Sequence, residues 1–340
     1  MKHARSNSID RLRGPILRSV SRSFYLSIRL LPAQLRDPIA LAYLLARATD
    51  TLADTTELSA TLRDESLRKL AHAIQADISQ NEVSNLRDSF APLQKNAAER
   101  TLIEALPTCL DWLAQLKEND RDDIRVVLEH INRGQSLDVR RFGETREVRA
   151  LATESDLDEY TYLVAGCVGE FWTQLCFRHL KNFSHQSAEK MSSLGREYGK
   201  GLQLINILRD AGSDLANGRC YFPEEELRAR GIAPNEMISR RAEVEPILEK
   251  WRHKATEGID AGMDYCCAIR PARVRFATAL PALIGARTLA LLREAGVDAL
   301  LRRIKVPRQE IRALMSRTAM TLATPRALRK MFERLSKNSL

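Results

Sequence analysis

The sequence lacks several common patterns, and each absence narrows the class of protein. No apolar run approaches the roughly 18 residues that cross a bilayer, so we expect no membrane-spanning segment. The N-terminal MKHARSNSIDRLRG is charged without an apolar core, so we expect no signal peptide. The six cysteines include no CxxC pair, and Cys167 and Cys176 lie in apolar helical sequence. Buried thiols in a reducing compartment, and hence a cytoplasmic protein, are therefore predicted.

Residues that interrupt helices are also scarce, with 15 Gly and 12 Pro among 340 residues. Long stretches are rich in Leu, Ala, Arg and Glu, which favour helices. No convincing alternating strand, short repeat or long linker is found. We predict an all-α, single-domain fold over residues 15–320. A mobile basic arm (1–14) would precede it, and a basic amphipathic segment (321–340) would follow it.

The net charge of +9 is concentrated at one end of the chain. Residues 302–340 contain 11 Lys or Arg and two Glu, which alone give +9. An anionic membrane, nucleic acid, an anionic substrate or a solvated helix face could each explain such a tail. Within it, Leu328, Met331, Phe332 and Leu335 share one helix face. This face predicts either a peripheral helix on the inner membrane surface or packing against the body.

Two pairs of aspartates, each four residues apart, stand in apolar helical sequence. Asp50 and Asp54 lie in LLARATDTLAD, and Asp210 and Asp214 lie in LQLINILRDAGSDLANGR. Side chains four residues apart point the same way on a helix, so each pair can present oxygen ligands to Mg²⁺. An exposed acidic face is the alternative. The apolar flanks and nearby arginines favour ligand binding, because acids hold Mg²⁺ while arginines hold phosphate.

Between the pairs, DEYTYLVAGCVGEFW combines Tyr160 with a helix of small residues. Ala165, Gly166 and Gly169 allow close helix approach or leave room for a ligand. A mid-helix Gly costs about 1 kcal/mol, so a compensating contact is expected. Tight packing is the simpler explanation of Gly169, and a core or rim position is the simpler explanation of Tyr160.

Four segments together resemble the squalene/phytoene synthase family of head-to-head prenyltransferases. They occur in the family's order and spacing, and the similarity covers residues 16–315. The segments are SRSFYLSIRLLP (Ser21–Pro32), YLLARATDTLAD (Tyr43–Asp54), YTYLVAGCVGE (Tyr160–Glu170) and QLINILRDAGSDLANGRCYFP (Gln203–Pro223).

This resemblance implies an isoprenoid-synthase helical bundle around a central apolar cavity, with two farnesyl-type diphosphates bound through Mg²⁺ at its mouth. By motif, the metal ligands would be Asp50, Asp54, Asp210 and Asp214. The diphosphate-binding residues would be Ser21, Arg22, Ser23, Arg47, Gln203, Asn206, Arg209 and Arg219. Ala53 and Ser213 depart from the family, where squalene-type relatives often have Glu, and this leaves the number of Mg²⁺ ions open.

The resemblance also implies catalytic roles. Tyr160 matches the family's tyrosine implicated in proton handling, and Arg47 and Tyr43 would lie in the same site. Apolar walls would keep water from carbocations. The candidates are Phe24, Cys167, Phe276 and Leu280, although core packing explains each of them singly.

Two features bear on the branch of the family. DTLAD is closer to squalene-type DTLED than to the phytoene-type motif, and RRIKVPRQEIRALM (Arg302–Met315) resembles squalene synthases. The implied reaction joins two farnesyl diphosphates into presqualene diphosphate and reduces it to squalene with NADPH. Lys305 and Arg308 are candidate cofactor-binding residues, and without a GxGxxG fingerprint NADPH would bind in the helical cavity. Phytoene, dehydrosqualene or presqualene diphosphate synthase remains the alternative.

Functions from other classes explain less of the sequence. A di-iron oxidase needs Glu-x-x-His pairs, and none is present. A nucleic-acid-binding protein would account for the basic tail but not for aspartate pairs in apolar helices, so we expect no nucleic-acid partner. A catalytically inactive scaffold is disfavoured because all four aspartates and Tyr160 are retained.

Overall fold

A computed structural model describes residues 8–21, 23–75, 80–143, 147–321 and 324–337. The side chains of residues 23, 24, 26, 80 and 321 lie outside this description. Most described residues are helical, which confirms the all-α class. The chain divides into two compact units, Met1–Glu144 and Thr145–Leu340. The single domain of residues 15–320 stays a prediction, and each unit is described by itself below.

The first unit consists of helices joined by short turns. Its two longest helices, α3 and α8, pack against each other, and α4 also packs against α8. Fully buried Leu41, Leu44 and Leu45 give α3 its apolar face. The α-helices are α1 (Leu17–Ser21), α2 (Ser23–Leu30), α3 (Ala33–Ala53), α4 (Ala60–Gln75), α5 (Gln80–Phe90), α6 (Ala97–Glu104), α7 (Leu106–Gln115) and α8 (Glu118–Phe142). A π-helical turn covers Leu12–Ile16, and a 3₁₀ turn covers Ala91–Leu93.

The predicted mobile arm is wrong for residues 8–14. Residues 8–16 are helical, and Leu12 and Ile16 are only 0% and 5% exposed. Their spacing of four residues puts both side chains on the buried face of the turn. Residues 1–7 lie outside the described part of the chain.

A buried arginine joins the C-terminal ends of α3 and α8. Arg63 donates from Nη1 to the carbonyl oxygen of Ala53 at 2.8 Å and from Nη2 to that of Gly143 at 3.1 Å. The last carbonyls of a helix have no partner within it, so these bonds stabilise both ends. The same end of α3 carries Asp50 and Asp54.

The second unit is built around α11. This long helix packs against α10 on one side and α13 on the other, and α14 packs against α13. The α-helices are α9 (Glu154–Thr161), α10 (Cys167–His179), α11 (Ala188–Ala216), α12 (Glu224–Arg228), α13 (Arg241–Ala268), α14 (Ala272–Ala295), α15 (Arg308–Thr321) and α16 (Pro325–Ser336). A π-helical turn covers Tyr162–Gly166, and 3₁₀ turns cover Pro234–Glu236 and Gly296–Leu300.

Glycines allow the backbone of α11 to touch both of its neighbours. A methyl group on Gly169 would lie 1.9 Å from the carbonyl oxygen of Gly195. One on Gly258 would lie 2.6 Å from the Cα atom of Gly201. Both distances are far below van der Waals contact, so neither crossing accepts a side chain. The interpretation of Gly169 as a packing residue is therefore confirmed.

The prediction of no strands is wrong at two short segments. β1 (Arg149–Leu151) and β2 (Arg219–Pro223) pair in parallel, with Arg149 opposite Arg219. Three and five residues are too few for an alternating pattern to appear, and β2 is buried at four of its five positions. Gly218, at φ 78°, makes the turn from α11 into β2. The pairing brings the residues that follow the second aspartate pair beside the chain that enters α9.

The apolar face of α16 is covered by protein. Leu328, Phe332 and Leu335 are 0%, 5% and 1% exposed, and α16 packs against α13 and α14. Of the two readings of this face, packing against the body is therefore correct, and the face cannot enter a membrane while it stays docked. A peripheral position on the membrane remains a prediction, and the buried apolar face of α16 does not support it.

One helical stretch, Ala272–Leu300, is long and apolar enough to cross a membrane by length and composition. The expectation that no such run exists is therefore wrong. Most of its apolar window, 78%, is buried inside the protein, as in the core helix of a soluble domain.

Candidate active site

The first aspartate pair lies at the C-terminal end of α3. Asp54 is the residue at which the helix ends, and its N–H donates to the carbonyl oxygen of Asp50 at 2.9 Å. The Oδ1 atom of Asp50 accepts a hydrogen bond of 2.5 Å from Nε2 of Gln135 on α8. Asp50 is half-buried and Asp54 is exposed, so a buried helix ends in one half-buried and one exposed carboxyl.

Carboxyl groups crowd around Asp50. Its pKa is raised to about 7, first by burial and then by the charge of Asp54. Asp138 and Glu99 act in the same direction, whereas Arg47 opposes them. Asp138 is itself only 6% exposed on α8. Carboxylates this close repel one another unless a proton or a cation is shared among them.

Arg47 stands between two of these carboxyls. Its Nη2 donates to Oε1 of Glu99 at 2.5 Å, and its Nη1 lies 3.6 Å from Oδ2 of Asp50. Burial acts to lower the pKa of Arg47, but Asp50 and Glu99 outweigh burial and raise it. The structure therefore holds a fixed positive charge beside the first aspartate pair, as a diphosphate site requires.

The other predicted residues of this unit with described side chains are Tyr43, midway along α3, and Ser21, at the end of α1. The hydroxyl of Tyr43 donates to the carbonyl oxygen of Val20 at 3.1 Å. Ser21 is 6% exposed, and its Oγ donates to the carbonyl oxygen of Leu17 at 2.5 Å. The Ser21 hydroxyl is thus bonded to its own helix. Three predicted residues fall outside the described part of the chain, namely Arg22 entirely and Ser23 and Phe24 in their side chains.

The second aspartate pair lies near the end of α11, and arginines hold both oxygens of Asp210. Arg209 donates to Oδ1 at 3.1 Å and to Oδ2 at 2.5 Å. Arg303, from the segment between Gly296–Leu300 and α15, donates to Oδ1 at 2.6 Å and to Oδ2 at 3.3 Å. Burial acts to raise the pKa of Asp210, but Arg209 and Arg303 outweigh burial and lower it.

The remaining polar residues of this motif lie towards the C-terminal end of α11 or shortly after it. Asp214, one turn after Asp210, is half-buried. Asn206, one turn before it, is exposed and donates from Nδ2 to Oε1 of Gln203 at 3.3 Å. Arg219 is half-buried at the start of β2. The second unit therefore gathers carboxyl, amide and guanidinium groups as the motif predicts.

Tyr160 stacks on a second tyrosine. The rings of Tyr160 and Tyr221 have centroids 5.0 Å apart and an interplanar angle of 24°. Their hydroxyl oxygens are 3.5 Å apart, and the side chains are 6% and 7% exposed. The π-helical turn Tyr162–Gly166 follows directly, and such turns are frequent at functional sites. Tyr160 is thus a buried phenol with a polar neighbour.

The predicted apolar wall residues of the second unit are all buried. Cys167, Phe276 and Leu280 are 3%, 6% and 4% exposed. Burial raises the pKa of Cys167 to about 12, so this thiol stays neutral. Lys305 and Arg308, by contrast, are exposed. They fit the binding of a phosphate group, but the described residues of this segment have no feature specific to a nicotinamide ring.

Whether Mg²⁺ can bind at these motifs depends on the side chains that could act as its ligands. The described residues contain no group of three or more His, Cys, Asp or Glu arranged as a complete metal cage. Mg²⁺ needs none, because it takes one or two carboxylates and completes its shell with water and substrate phosphate. Asp50 and Asp54 supply such a pair, and a bound cation would offset the charge repulsion between them. The residues therefore fit Mg²⁺.

Sequence reasoning missed five residues of these clusters. Three of them reach the site only through the packing of separate helices, and α8, which carries two of these three, is rich in polar residues, so no local signal distinguished them. Tyr221 lies inside a quoted motif but was not singled out, and Arg303 lies in the basic segment beside the residues that were. The five are Glu99, Gln135, Asp138, Tyr221 and Arg303.

Solved structures agree with the fold. The complex of TcSQS with the ligand BPH1237 matches with a TM-score of 0.74 and 21% identity, covering 98% of this chain and 97% of that one. The fold and the site define a class of protein, namely one with the all-α isoprenoid-synthase architecture and two aspartate-rich helix ends. Residues 17–310 match the family model described as squalene/phytoene synthase. The chain belongs to the squalene/phytoene synthase family.

Curated relatives come from two branches. The squalene synthase ERG9 of Saccharomyces cerevisiae is 28% identical over 210 residues, which cover 62% of this chain and 44% of that protein. The bifunctional lycopene cyclase/phytoene synthase of Arthroderma gypseum is 28% identical over 243 residues, which cover 71% of this chain and 39% of that protein. The match thus spans less than half the length of either relative.

Proposed function

We propose that this protein condenses two farnesyl diphosphates head to head into presqualene diphosphate and reduces the product to squalene with NADPH. The observation that carries the condensation is the carboxyl cluster around Asp50, where a bound cation would offset the repulsion between neighbouring carboxylates. The squalene-type DTLAD motif favours this branch. Phytoene or dehydrosqualene synthesis is the second candidate, because a phytoene synthase is among the relatives.

The charged residues would bind the two diphosphates. Asp50 and Asp54 in one motif, and Asp210 and Asp214 in the other, would hold Mg²⁺, which supplies charge stabilisation for departing diphosphate. Arg47 and Arg209 are fixed cations beside these carboxylates and would donate to phosphate oxygens. Their hydrogen bonds strengthen as negative charge collects on the leaving group, and this favours ionisation of the allylic substrate.

The buried residues of the second unit would handle the carbon skeleton. The double bond of one substrate attacks the allylic carbon of the other, and loss of a proton closes the cyclopropane ring. The buried Tyr160 hydroxyl, which lies 3.5 Å from that of Tyr221, would accept or relay that proton. Apolar side chains such as Phe276 and Leu280 would exclude water from the cationic carbon.

The direct test incubates purified protein with farnesyl diphosphate and Mg²⁺, with and without NADPH, and analyses the extracted lipid by mass spectrometry. Squalene that forms only with NADPH is the expected result. Presqualene diphosphate or dehydrosqualene regardless of NADPH would assign another branch. Absence of product from farnesyl and geranylgeranyl diphosphate alike would contradict the proposal.

Aspartate variants test the metal site. Asp50→Asn or Asp214→Asn should lower kcat/KM about 10³-fold, since the loss of a metal ligand removes several kcal/mol of charge stabilisation. Both variants should fold. Asp122→Asn, an exposed carboxyl on α8, is the matched control and should keep full activity. Full activity of either site variant would remove the Mg²⁺ argument.

A tyrosine variant tests proton handling. Tyr160→Phe keeps the ring stacked on Tyr221 but removes the hydroxyl, and it should slow formation of the cyclopropyl intermediate about 10²-fold or more. Tyr162→Phe removes a hydroxyl that donates to Oε2 of Glu170 at 3.0 Å instead, and it should leave this step unchanged. A Tyr160→Phe rate equal to wild type would reduce Tyr160 to a packing residue.

A further inference from the structure

We propose that Arg303 forms an ion pair with the carboxylate of Asp210 in the metal-free protein. A divalent cation then binds Asp210 only by displacing Arg303. The inference rests on the proposed function in one respect, namely that Asp210 holds a cation. It assigns to Arg303 control over how tightly that cation is bound.

The contacts leave no oxygen of Asp210 without a cationic partner. Arg303 donates from Nε to Oδ1 at 2.6 Å and from Nη2 to Oδ2 at 3.3 Å, while Arg209 donates to the same two atoms. A bidentate guanidinium uses the same lone pairs that a metal ion needs. A cation that binds Asp210 must therefore break at least one of these pairs.

Arg303 is the partner that can leave. Arg209 is the residue next to Asp210 on α11, so its backbone is fixed by the helix. Arg303 lies instead in the non-helical segment 301–307, and its side chain is 52% exposed. An exposed ion pair is worth little free energy, so a divalent cation can replace it.

Gly212 brings this segment to the carboxylate. A methyl group on Gly212 would lie 2.0 Å from the carbonyl oxygen of Leu300, so only glycine allows the 3₁₀ turn to approach α11 this closely. A cavity of about 370 Å³ borders the same place and is lined in part by Arg209, Arg302 and Arg303. A displaced Arg303 side chain therefore has space beside the site.

The surroundings of Asp50 differ from those of Asp210. Asp50 accepts a hydrogen bond of 2.5 Å from the neutral amide of Gln135, and Nη1 of Arg47 lies 3.6 Å from its Oδ2 atom. Metal binding at Asp210 thus exchanges one cation for another, whereas binding at Asp50 adds a cation to a carboxyl cluster. Removal of Arg303 should strengthen cation binding at the second pair alone.

The test measures Mn²⁺ binding by electron paramagnetic resonance, which counts free aqueous Mn²⁺. The full chain carries Asp50→Asn and Asp54→Asn, so that only the second pair can bind. Adding Arg303→Gln should tighten Mn²⁺ binding about 2- to 5-fold, the range expected for an exposed ion pair. Arg302→Gln is the matched control, because it removes an equal charge from the same cavity wall.

Three outcomes separate the inference from the proposed function. Tighter binding in Arg303→Gln than in Arg302→Gln, with the difference abolished by Asp210→Asn, supports the inference. An equal effect of the two arginine variants, or none, overturns it and leaves the metal site intact. Absence of Mn²⁺ binding in all variants overturns the inference and contradicts the metal site of the proposed function as well.

Discussion

At the scale of single residues, the two aspartate pairs are held in opposite electrostatic states. Asp50 has its pKa raised to about 7 by burial and by Asp54, whereas Asp210 has its pKa lowered by two arginines. A carboxyl that keeps its proton near neutral pH must release it to bind a metal, and an ion-paired carboxylate must release a guanidinium instead. The two motifs therefore respond differently to pH and to charge-removing substitutions.

The raised pKa of Asp50 predicts a pH-dependent loss of stability. Its ordinary pKa is 3.8, so the folded state binds the proton more tightly than the unfolded state does. The resulting stability is complete below about pH 4 and is lost as pH rises through about 7. The full shift would correspond to ~4 kcal/mol. Because the side chain is 38% exposed, solvent screening reduces the expectation to about 1–2 kcal/mol.

Asp50→Asn should remove this pH dependence. Denaturant unfolding of the metal-free protein between pH 5 and 8 provides the measurement. The variant should be the more stable protein at pH 8 and should show a flatter profile. Asp122→Asn, whose carboxyl is 55% exposed, should keep the wild-type profile. Identical profiles for wild type and Asp50→Asn would contradict the pKa assigned to Asp50.

The sequence predicted the aspartates but not their partners, for a physical reason. A four-residue spacing fixes which side chains share a helix face, so both pairs could be read directly. Gln135 meets Asp50 from 85 positions away, and Arg303 meets Asp210 from 93 positions away. Such contacts depend on which helices pack together and in what register. Local sequence periodicity predicts neither the pairing of helices nor their register.

At the scale of elements, helix positions were largely predictable and their interruptions were not. Helix-favouring composition predicts α13 and α14, and Pro or Gly lies close to most of their boundaries. The π-helical turn Tyr162–Gly166 interrupts a stretch predicted as one helix, because an extra residue per turn leaves no mark in composition. The paired strands β1 and β2 were missed because both are short and because β2 is buried at four of its five positions, which hides any alternation.

The crossing of α10 and α11 predicts a large effect for a small substitution. Gly169→Ala places a methyl group 1.9 Å from the carbonyl oxygen of Gly195, and backbone cannot yield as a side chain can. We expect a loss of about 2–3 kcal/mol in the free energy of unfolding. Gly14→Ala adds the same methyl group where nothing lies within 4 Å, and it should be neutral or stabilising. Equal stability of the two variants would mean that the helices do not cross this closely.

At the scale of the whole molecule, the apolar face of α16 is buried, whereas its basic residues are exposed. Residues 302–340 carry the net charge of +9, and α16 buries Leu328, Phe332 and Leu335. Arg326, Lys330 and Arg334 remain exposed on its outer side. A docked α16 could therefore meet an anionic surface through its charges alone, without inserting apolar side chains.

Vesicle sedimentation separates this electrostatic contact from insertion. We expect the full chain to sediment with anionic vesicles at low salt and to be released at high salt, because exposed charges are screened. The triple variant Arg326→Gln, Lys330→Gln and Arg334→Gln should lose this binding and keep wild-type stability. Deletion of residues 324–340 should instead cost about 4 kcal/mol or more in stability, since three buried apolar side chains are lost. Sedimentation with neutral vesicles, or binding that survives high salt, would mean that α16 undocks and inserts its apolar face.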